Sequence, residues 1–163
     1  MIEQLIFALT FLAALGSGLM AGLFFAFSFA VMTALGRLPP AGGISAMQSI
    51  NVAILNPVFF AVFFGTPAIS ILLAVAALAR WSEPGAVYLF AGSLIHFVGN
   101  FLVTVVFNVP LNNAMAAVKP DSAEGAHVWT RYLAVWTAWN HLRTAACLAA
   151  TALFIMALVS RSQ

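Results

Sequence analysis

Four apolar stretches dominate the sequence, and each meets or exceeds the roughly 20 residues that a helix needs to cross a bilayer. They run from about Gln4 to Leu35, from Pro57 to about Ala79, from roughly Ala86 to Phe107 and from roughly Tyr132 to Val159. Of the 163 residues, 64% are hydrophobic and only 6% are charged, a composition that soluble domains do not reach. We therefore predict an all-α fold, a bundle of four transmembrane helices in an integral, multi-pass membrane protein.

The connections between these stretches are short. No long linker, low-complexity tract or charge run divides the sequence, so residues 1–163 are interpreted as a single domain. Four crossings return a chain to its starting side, and both termini are therefore expected on the same side of the membrane. The few flanking charges are too evenly distributed to fix the orientation. For a bacterial protein the membrane would be the cytoplasmic one.

A short extra helix is predicted before the second span. Gln48, Asn51 and Leu55 fall on one face of it, as in helices that re-enter the membrane or lie at its interface. Ser45 suits the N-cap of this helix. The dipeptide Asn56-Pro57 follows, and a proline is well tolerated in the first turn of the second span.

The first span carries a small residue at every fourth position. This row consists of Ala14, Gly18, Gly22, Ala26, Ala30 and Ala34. In lipid, such a row lets helix backbones approach closely and associate. We interpret it first as a surface for packing within the chain, with a homodimer through this face of the first helix as the alternative. A formal charge of +2 is too small for a nucleic-acid surface.

Strongly polar side chains within or beside the apolar stretches are the main functional signal, because burying an unpaired amide, imidazole or guanidinium costs several kcal/mol. In a four-span chain the first and third loops lie on the same side. Most of the polar residues fall near these two loops, whereas the opposite half of the bundle is almost entirely apolar. We therefore predict one polar pocket at that end, formed by Gln48, Asn51, Asn56, Asn100, Asn108, Asn112, Asn140, His141 and Arg143.

Helical spacing supports this pocket. Steps of four relate His96, Asn100, Thr104, Asn108 and Asn112 on the third span, which places neighbours on one slowly winding face. On the fourth span, steps of three and four connect Trp129, Trp136, Asn140, Arg143 and Cys147. His141 lies about 100° from Asn140 around the helix, so it need not point into the same cavity.

Each of these polar residues has a structural interpretation beside the functional one. Asparagines stabilise helix–helix contacts by roughly 0.6–2 kcal/mol each. Arg143 has no acidic partner in any span; it either extends toward the interface, or bonds to amides and carbonyls, or holds an anionic or phenolate-like ligand. Trp136 and Trp139 fit an interfacial aromatic belt or the walls of a pocket.

The sequence gives little support for a resident cofactor. Its acidic residues are confined to termini and loops, at Glu3, Glu83, Asp121 and Glu124, and it has one cysteine. Neither a carboxylate cluster nor a thiolate cage is available, and no metal site is predicted. Haem ligation by His96 and His141 is disfavoured, but not excluded, because the two histidines fall at different depths.

Three segments resemble a family of small four-helix membrane proteins whose characterised members are anthrone oxygenases, although most members have no known substrate. The segments are Gln48-Ser49-Ile50-Asn51 with Asn56-Pro57, Asn108-Val109-Pro110-Leu111-Asn112, and residues 136–144, which read Trp-Thr-Ala-Trp-Asn-His-Leu-Arg-Thr. The resemblance covers almost the whole chain. It implies oxidation of a lipophilic, flat aromatic anthrone to an anthraquinone by O2, without a bound cofactor.

Such a reaction needs a flat apolar pocket, a proton acceptor and donors to the developing oxyanion. Trp136 and Trp139 are the expected walls, and His141 or His96 the expected base. Asn140, Arg143 and Asn51 are the expected oxyanion donors. Two other classes stay open: a non-catalytic binder or carrier of a lipophilic small molecule, and a structural subunit of a membrane complex.

Overall fold

The computed structural model describes residues 1–161, which are mostly helical. Its five helices are α1 (Ile2–Leu35), α2 (Pro40–Ala53), α3 (Pro57–Ala79), α4 (Ala86–Ala116) and α5 (Ala123–Arg161). Helices α1, α3, α4 and α5 are each long and apolar enough to cross a membrane. The predicted fold class is confirmed, including the short extra helix, α2, before the second span.

The third and fourth spans extend further than their apolar stretches indicate. Helix α4 continues to Ala116 instead of ending near Phe107, and α5 begins at Ala123 instead of near Tyr132. Hydropathy marks only the apolar part of a helix, whereas the hydrogen-bonded backbone continues until a breaker is met. The added turns of α4 carry Asn112 and Asn113, and so bring amides to one end of the bundle.

Helix α2 begins earlier than predicted. Pro39 is its N-cap and Pro40 its first residue, a position where proline's missing N–H is no loss. Ser45 is therefore an exposed residue inside the helix, and its predicted capping role is wrong. The start of α3 follows the prediction, because Asn56 Oδ1 accepts hydrogen bonds from the backbone N–H groups of Val58 and Phe59 at 3.1 and 3.0 Å.

Close helix approaches occur at two glycines. A Cβ added to Gly16 of α1 would lie 2.1 Å from Thr66 Oγ1 of α3, and one added to Gly99 of α4 would lie 2.5 Å from Ala146 Cβ of α5. Since real Cβ atoms do not approach so closely, each site requires glycine. Backbones that approach this closely are a main source of helix association in lipid.

The predicted packing of the small-residue row is only partly correct. Ala14 is buried, but Gly22, Ala26, Ala30 and Ala34 are exposed, and a Cβ at Gly22 would meet no atom within 4 Å. The glycine that actually packs closely against α3 is Gly16, which lies outside the row. The homodimer through this face remains a prediction.

Three π-helical turns interrupt the long helices. One spans Phe27–Val31 in α1, and two span Phe97–Leu102 and Thr104–Asn108 in α4. In a pure α-helix, residues spaced by four drift by about 40° per step. A π turn holds more residues than an α turn and reverses that drift. As a result the stripe of four-residue steps in α4 stays on one buried face, from His96 to Asn108.

Charged side chains mark one end of the bundle. Glu3, near the start of α1, pairs with Arg80 at the end of α3 and with Arg161 at the end of α5. The first residues of the chain and the end of α5 are therefore adjacent. The loops that follow α1 and α4 lie at the opposite end, which we call the cavity end.

Candidate functional site

A cavity of about 450 Å³ opens at the cavity end, with residues from all five helices in its wall. Most of its lining is apolar, including Phe24 and Phe27 of α1, Phe59 and Phe63 of α3, and Trp136 of α5. The polar lining residues are Gln48, Asn51, Thr104, Asn112, Asn113 and Arg143. The cavity is thus mostly apolar with a few polar groups, as small-molecule binding sites generally are.

Arg143 is the charged group of this cavity, and its side chain is only 4% exposed. Its Nη2 donates to Asn140 Oδ1 at 2.6 Å, and its Nη1 donates to Thr104 Oγ1 at 3.1 Å. The guanidinium carbon lies 4.1 Å from the centre of the Phe24 ring and 5.2 Å from that of Trp136. Aromatic faces favour a cation at such distances. Among residues 1–161, no carboxylate pairs with Arg143, so its positive charge has no protein counter-ion.

Asn140 fixes the position of Arg143. Its Nδ2 donates at 2.7 Å both to the Phe24 carbonyl and to Ser28 Oγ on α1. Ser28 lies in the π turn of α1 and also bonds to Thr144 at 3.1 Å. Because the side-chain amide of Asn140 is bonded at both ends, its Oδ1 is held toward the guanidinium.

Three donors on residues that line the cavity have no hydrogen-bond partner of good geometry among the described residues. They are the Nε1 of Trp136, the Nε of Arg143 and the Nδ2 of Asn51. Trp136 is 5% exposed, so its indole N–H has little access to solvent. Buried polar groups normally find a partner. These three N–H groups are covered by protein atoms, so a ligand in the cavity would reach them only after a side-chain shift.

Helix α4 contributes two further amides. Asn108 is fully buried and donates to the Trp136 carbonyl at 3.3 Å, so it supports the backbone of α5 without lining the cavity. Asn112 lines the cavity and accepts a 2.7 Å hydrogen bond from the Tyr132 hydroxyl. Asn108 therefore lies behind the cavity wall, and Asn112 is part of the wall.

The structure places His96 away from the cavity, in a separate polar cluster. It is fully buried, with Nδ1 2.8 Å from Ser17 Oγ and Nε2 3.2 Å from Asn100 Nδ2. The polar residues are therefore not confined to the cavity end as expected, since Ser17, Ser93 and Thr66 are also buried.

The cavity lining also excludes His141, Trp139 and Asn56, together with Asn100 and Asn140. His141 is exposed on the outer surface of the bundle, 5.3 Å from Phe29 between ring centres. Trp139 stacks on Phe107 at 3.8 Å. Asn56 is an exposed helix cap. The predicted site residues that do line the cavity are Gln48, Asn51, Asn112, Trp136 and Arg143.

Sequence reasoning missed Thr104, Phe24 and Ser28 as parts of the site. Thr104 belongs to the series of four-residue steps on the third span. A threonine hydroxyl in a helix usually donates to the backbone of its own helix, as Thr104 does to the Asn100 carbonyl at 2.8 Å, so its second contact with Arg143 was not expected. Phe24 and Ser28 are four residues apart on α1, a spacing that could have identified their shared face. No motif connected them to the fourth span.

The residues offer no obvious metal cage. Within residues 1–161, no group of three or more His, Cys, Asp or Glu side chains converges on one point. His96 points into the bundle and His141 out of it, so the two do not form a pair of axial ligands. Cofactor independence itself stays a prediction.

Comparison with known proteins identifies the family. No curated protein and no solved structure matches the sequence significantly. The anthrone oxygenase family model matches residues 59–153, more than half of the chain. This segment contains Trp136, Asn140 and Arg143, whereas Gln48 and Asn51 of the cavity precede it. The chain belongs to the anthrone oxygenase family.

Proposed function

We propose that the protein is a membrane-embedded oxygenase that converts a flat, lipophilic anthrone-type substrate to a quinone with O2 and without a bound cofactor. The observation that carries this proposal is Arg143, a buried cation at the wall of an apolar cavity that has no counter-ion among residues 1–161. Such a cation favours a ligand that carries or develops a negative charge beside it.

Arg143 stabilises the substrate anion. Loss of a proton from the CH2 group of an anthrone gives an electron-rich enolate, whose oxygen then accepts hydrogen bonds from Arg143 Nε and Trp136 Nε1 once a side-chain shift uncovers these two donors. Both donors lack a protein partner of good geometry in the described chain. Fixed donors in a site that excludes water stabilise a developing oxyanion strongly. The same contact favours ionisation of the substrate over its neutral form.

The oxidation then proceeds between substrate and O2. The anion transfers an electron to O2, and the resulting radicals combine to form a carbon–oxygen bond and a peroxide. Cleavage of the O–O bond with loss of water leaves a carbonyl. One oxygen atom of O2 ends in the quinone and the other in water, which also takes the two hydrogens of the CH2 group.

Neither of the two histidines predicted as the base lies where it could remove the first proton. His141 lies on the outer surface, and His96 is bonded to Ser17 and Asn100 away from the cavity. We propose that water at the cavity mouth accepts the proton, after Arg143 has lowered the free energy of the anion. Turnover is then expected to persist when either histidine is replaced in folded protein.

Aromatic side chains supply the flat walls. Trp136 and Phe27 line the cavity with ring centres 5.9 Å apart, and Phe59 stacks on Phe63 at 5.4 Å. Such rings favour an aromatic ligand through apolar burial and stacking. Trp139, which stacks on Phe107, is a supporting residue in this proposal and not a wall.

The test is O2 consumption by purified protein in lipid nanodiscs with anthrone as the probe. We expect anthraquinone formation with one atom of label from ¹⁸O2 in the new carbonyl. Arg143→Lys should reduce kcat about 10²- to 10³-fold, since a point charge does not replace a planar fork. The matched control is Arg131→Lys, at an exposed position on the same helix, which should retain activity.

Other outcomes separate the alternative classes. Saturable anthrone binding without O2 uptake would overturn the catalytic proposal and favour a carrier of lipophilic molecules. Absence of both binding and turnover would favour a structural subunit. Stoichiometric metal or haem in active preparations would overturn the cofactor-free chemistry.

A further inference from the structure

Helix α2 covers the cavity from the cavity end. Met47, Gln48 and Asn51 on its inner face line the cavity, and Met47 is only 1% exposed. Val52 and Leu55 also line it, yet they are 75% and 59% exposed. The mouth of the cavity therefore runs along the carboxyl-terminal part of α2.

Gln48 ties this helix to the opposite wall by hydrogen bonds, in addition to the buried side chains of Ile44 and Met47. Gln48 Nε2 donates to the carbonyls of Met115 and Val118 at 2.9 and 3.0 Å. Met115 is in the last turn of α4 and Val118 follows the helix. Carbonyls at a helix end have no partner within the helix. A single amide thus uses both of its N–H groups to hold α2 against the end of α4.

A second polar residue holds the other end of α2. Asn56 caps α3 through its Oδ1, and its Nδ2 donates to the carbonyls of Ala53 and Ile54 at 3.2 and 3.3 Å. Only Ile54, Leu55 and Asn56 separate α2 from α3. The junction is short and pinned on both sides, so a movement of α2 would pivot there.

We propose that α2 is a hinged lid, with Gln48 as its latch and Asn56 as its hinge, which opens to admit lipophilic molecules along Val52 and Leu55. Closure brings the Asn51 amide back into the cavity beside Arg143 and Trp136. Gln48 is a positioning residue in this arrangement, because it acts through Asn51 and not on a ligand. The use of the lid rests on the proposed function, whereas its opening can be measured without any substrate.

The experiment measures thiol alkylation by a membrane-permeant maleimide. The protein has one cysteine, Cys147, which is fully buried and provides the background rate. Met47→Cys places a thiol under the lid, and Ser49→Cys places one on the exposed face of the same helix. In the latched protein, we expect slow labelling at position 47 and fast labelling at position 49.

Removal of the latch should expose position 47 selectively. Gln48→Leu should accelerate labelling of the thiol at position 47 on the order of tenfold or more, because two hydrogen bonds are lost, and leave position 49 unchanged. Gln48→Glu keeps the size of the side chain but sets a carboxylate against two carbonyl oxygens, so it should have the same effect. Equal labelling of position 47 in folded latched and unlatched proteins would overturn the lid.

Labelling in the presence of anthrone separates the lid proposal from the proposed function. If the cavity binds anthrone, saturating anthrone should slow labelling at position 47 in the latched protein. Acceleration by Gln48→Leu without protection by anthrone would support the lid and count against the proposed substrate. Protection without acceleration would support a binding cavity that is reached by another route.

Discussion

Replacing Arg143 with methionine should damage activity more than stability. Methionine has an unbranched apolar side chain that can fill much of the space of the arginine stem without its charge. In the wild type, the guanidinium makes two charge-assisted hydrogen bonds, to Asn140 and Thr104, and contacts the Phe24 ring. These contribute roughly 1.5–3 kcal/mol for each hydrogen bond and up to about 2 kcal/mol for the ring contact.

The desolvation cost opposes these contributions. Moving a guanidinium from water into the bundle without a counter-ion costs several kcal/mol. The two sums are similar in size, but Arg143→Met leaves the buried Asn140 Oδ1 without its donor, so the variant should lower the free energy of unfolding by about 1–3 kcal/mol. Loss of the oxyanion partner proposed above should lower kcat about 10²- to 10³-fold, which equals about 2.7–4 kcal/mol in the transition state.

The assay combines unfolding of the purified variant in mixed micelles with O2 uptake on anthrone. Arg131→Met is the control, because Arg131 is exposed on the same helix. A loss of stability of about 5 kcal/mol or more would identify Arg143 as a structural group. Retention of wild-type turnover by folded Arg143→Met would refute its role as an oxyanion partner.

Three further predictions concern the rest of the molecule. His141→Phe should leave turnover of anthrone within about twofold of wild type, because the ring lies outside the cavity; a loss of the size seen for oxyanion-hole donors would restore His141 as a candidate base. Gly99→Ala should lower the free energy of unfolding by about 1–3 kcal/mol through overpacking against α5, whereas Gly22→Ala, which meets open space, should not. Glu3→Gln should lower the free energy of unfolding by less than about 1 kcal/mol, since the ion pairs of Glu3 are partly exposed. This loss of stability should shrink at high salt, and a loss that does not depend on salt would contradict the reasoning.

The architecture was predictable because bilayer thickness imposes it. Runs of 20 or more apolar residues can satisfy their backbone groups in lipid only as helices, and the order of those helices decides which loops share a side. The convergence of Asn51, Trp136 and Arg143 on one cavity followed from that topology. Arg143 was recognisable because no span contains an acidic residue to pair with it.

The details of the site were less predictable, because they depend on which way a side chain points. His141 adjoins Asn140 in sequence, but a helix turns by about 100° per residue, and the imidazole faces outward while the amide is buried. The burial of His96 with Ser17 joins two distant segments that no local pattern connects. The close packing at Gly16 likewise depends on Thr66, which belongs to another helix.

The π turns of α4 give this helix places where its chain length can change without moving its faces. A π turn can be described as one residue inserted into an α-helix. Deleting a residue between Phe97 and Leu102 would allow that turn to return to α geometry, and an α turn covers about the same rotation with one residue fewer. His96 and Asn112 would then keep nearly their present relation around the helix axis, although one residue fewer would separate them in the sequence. A family member that is one residue shorter here would be aligned with this protein by a one-residue gap within the π turn, with its asparagines on the matching face.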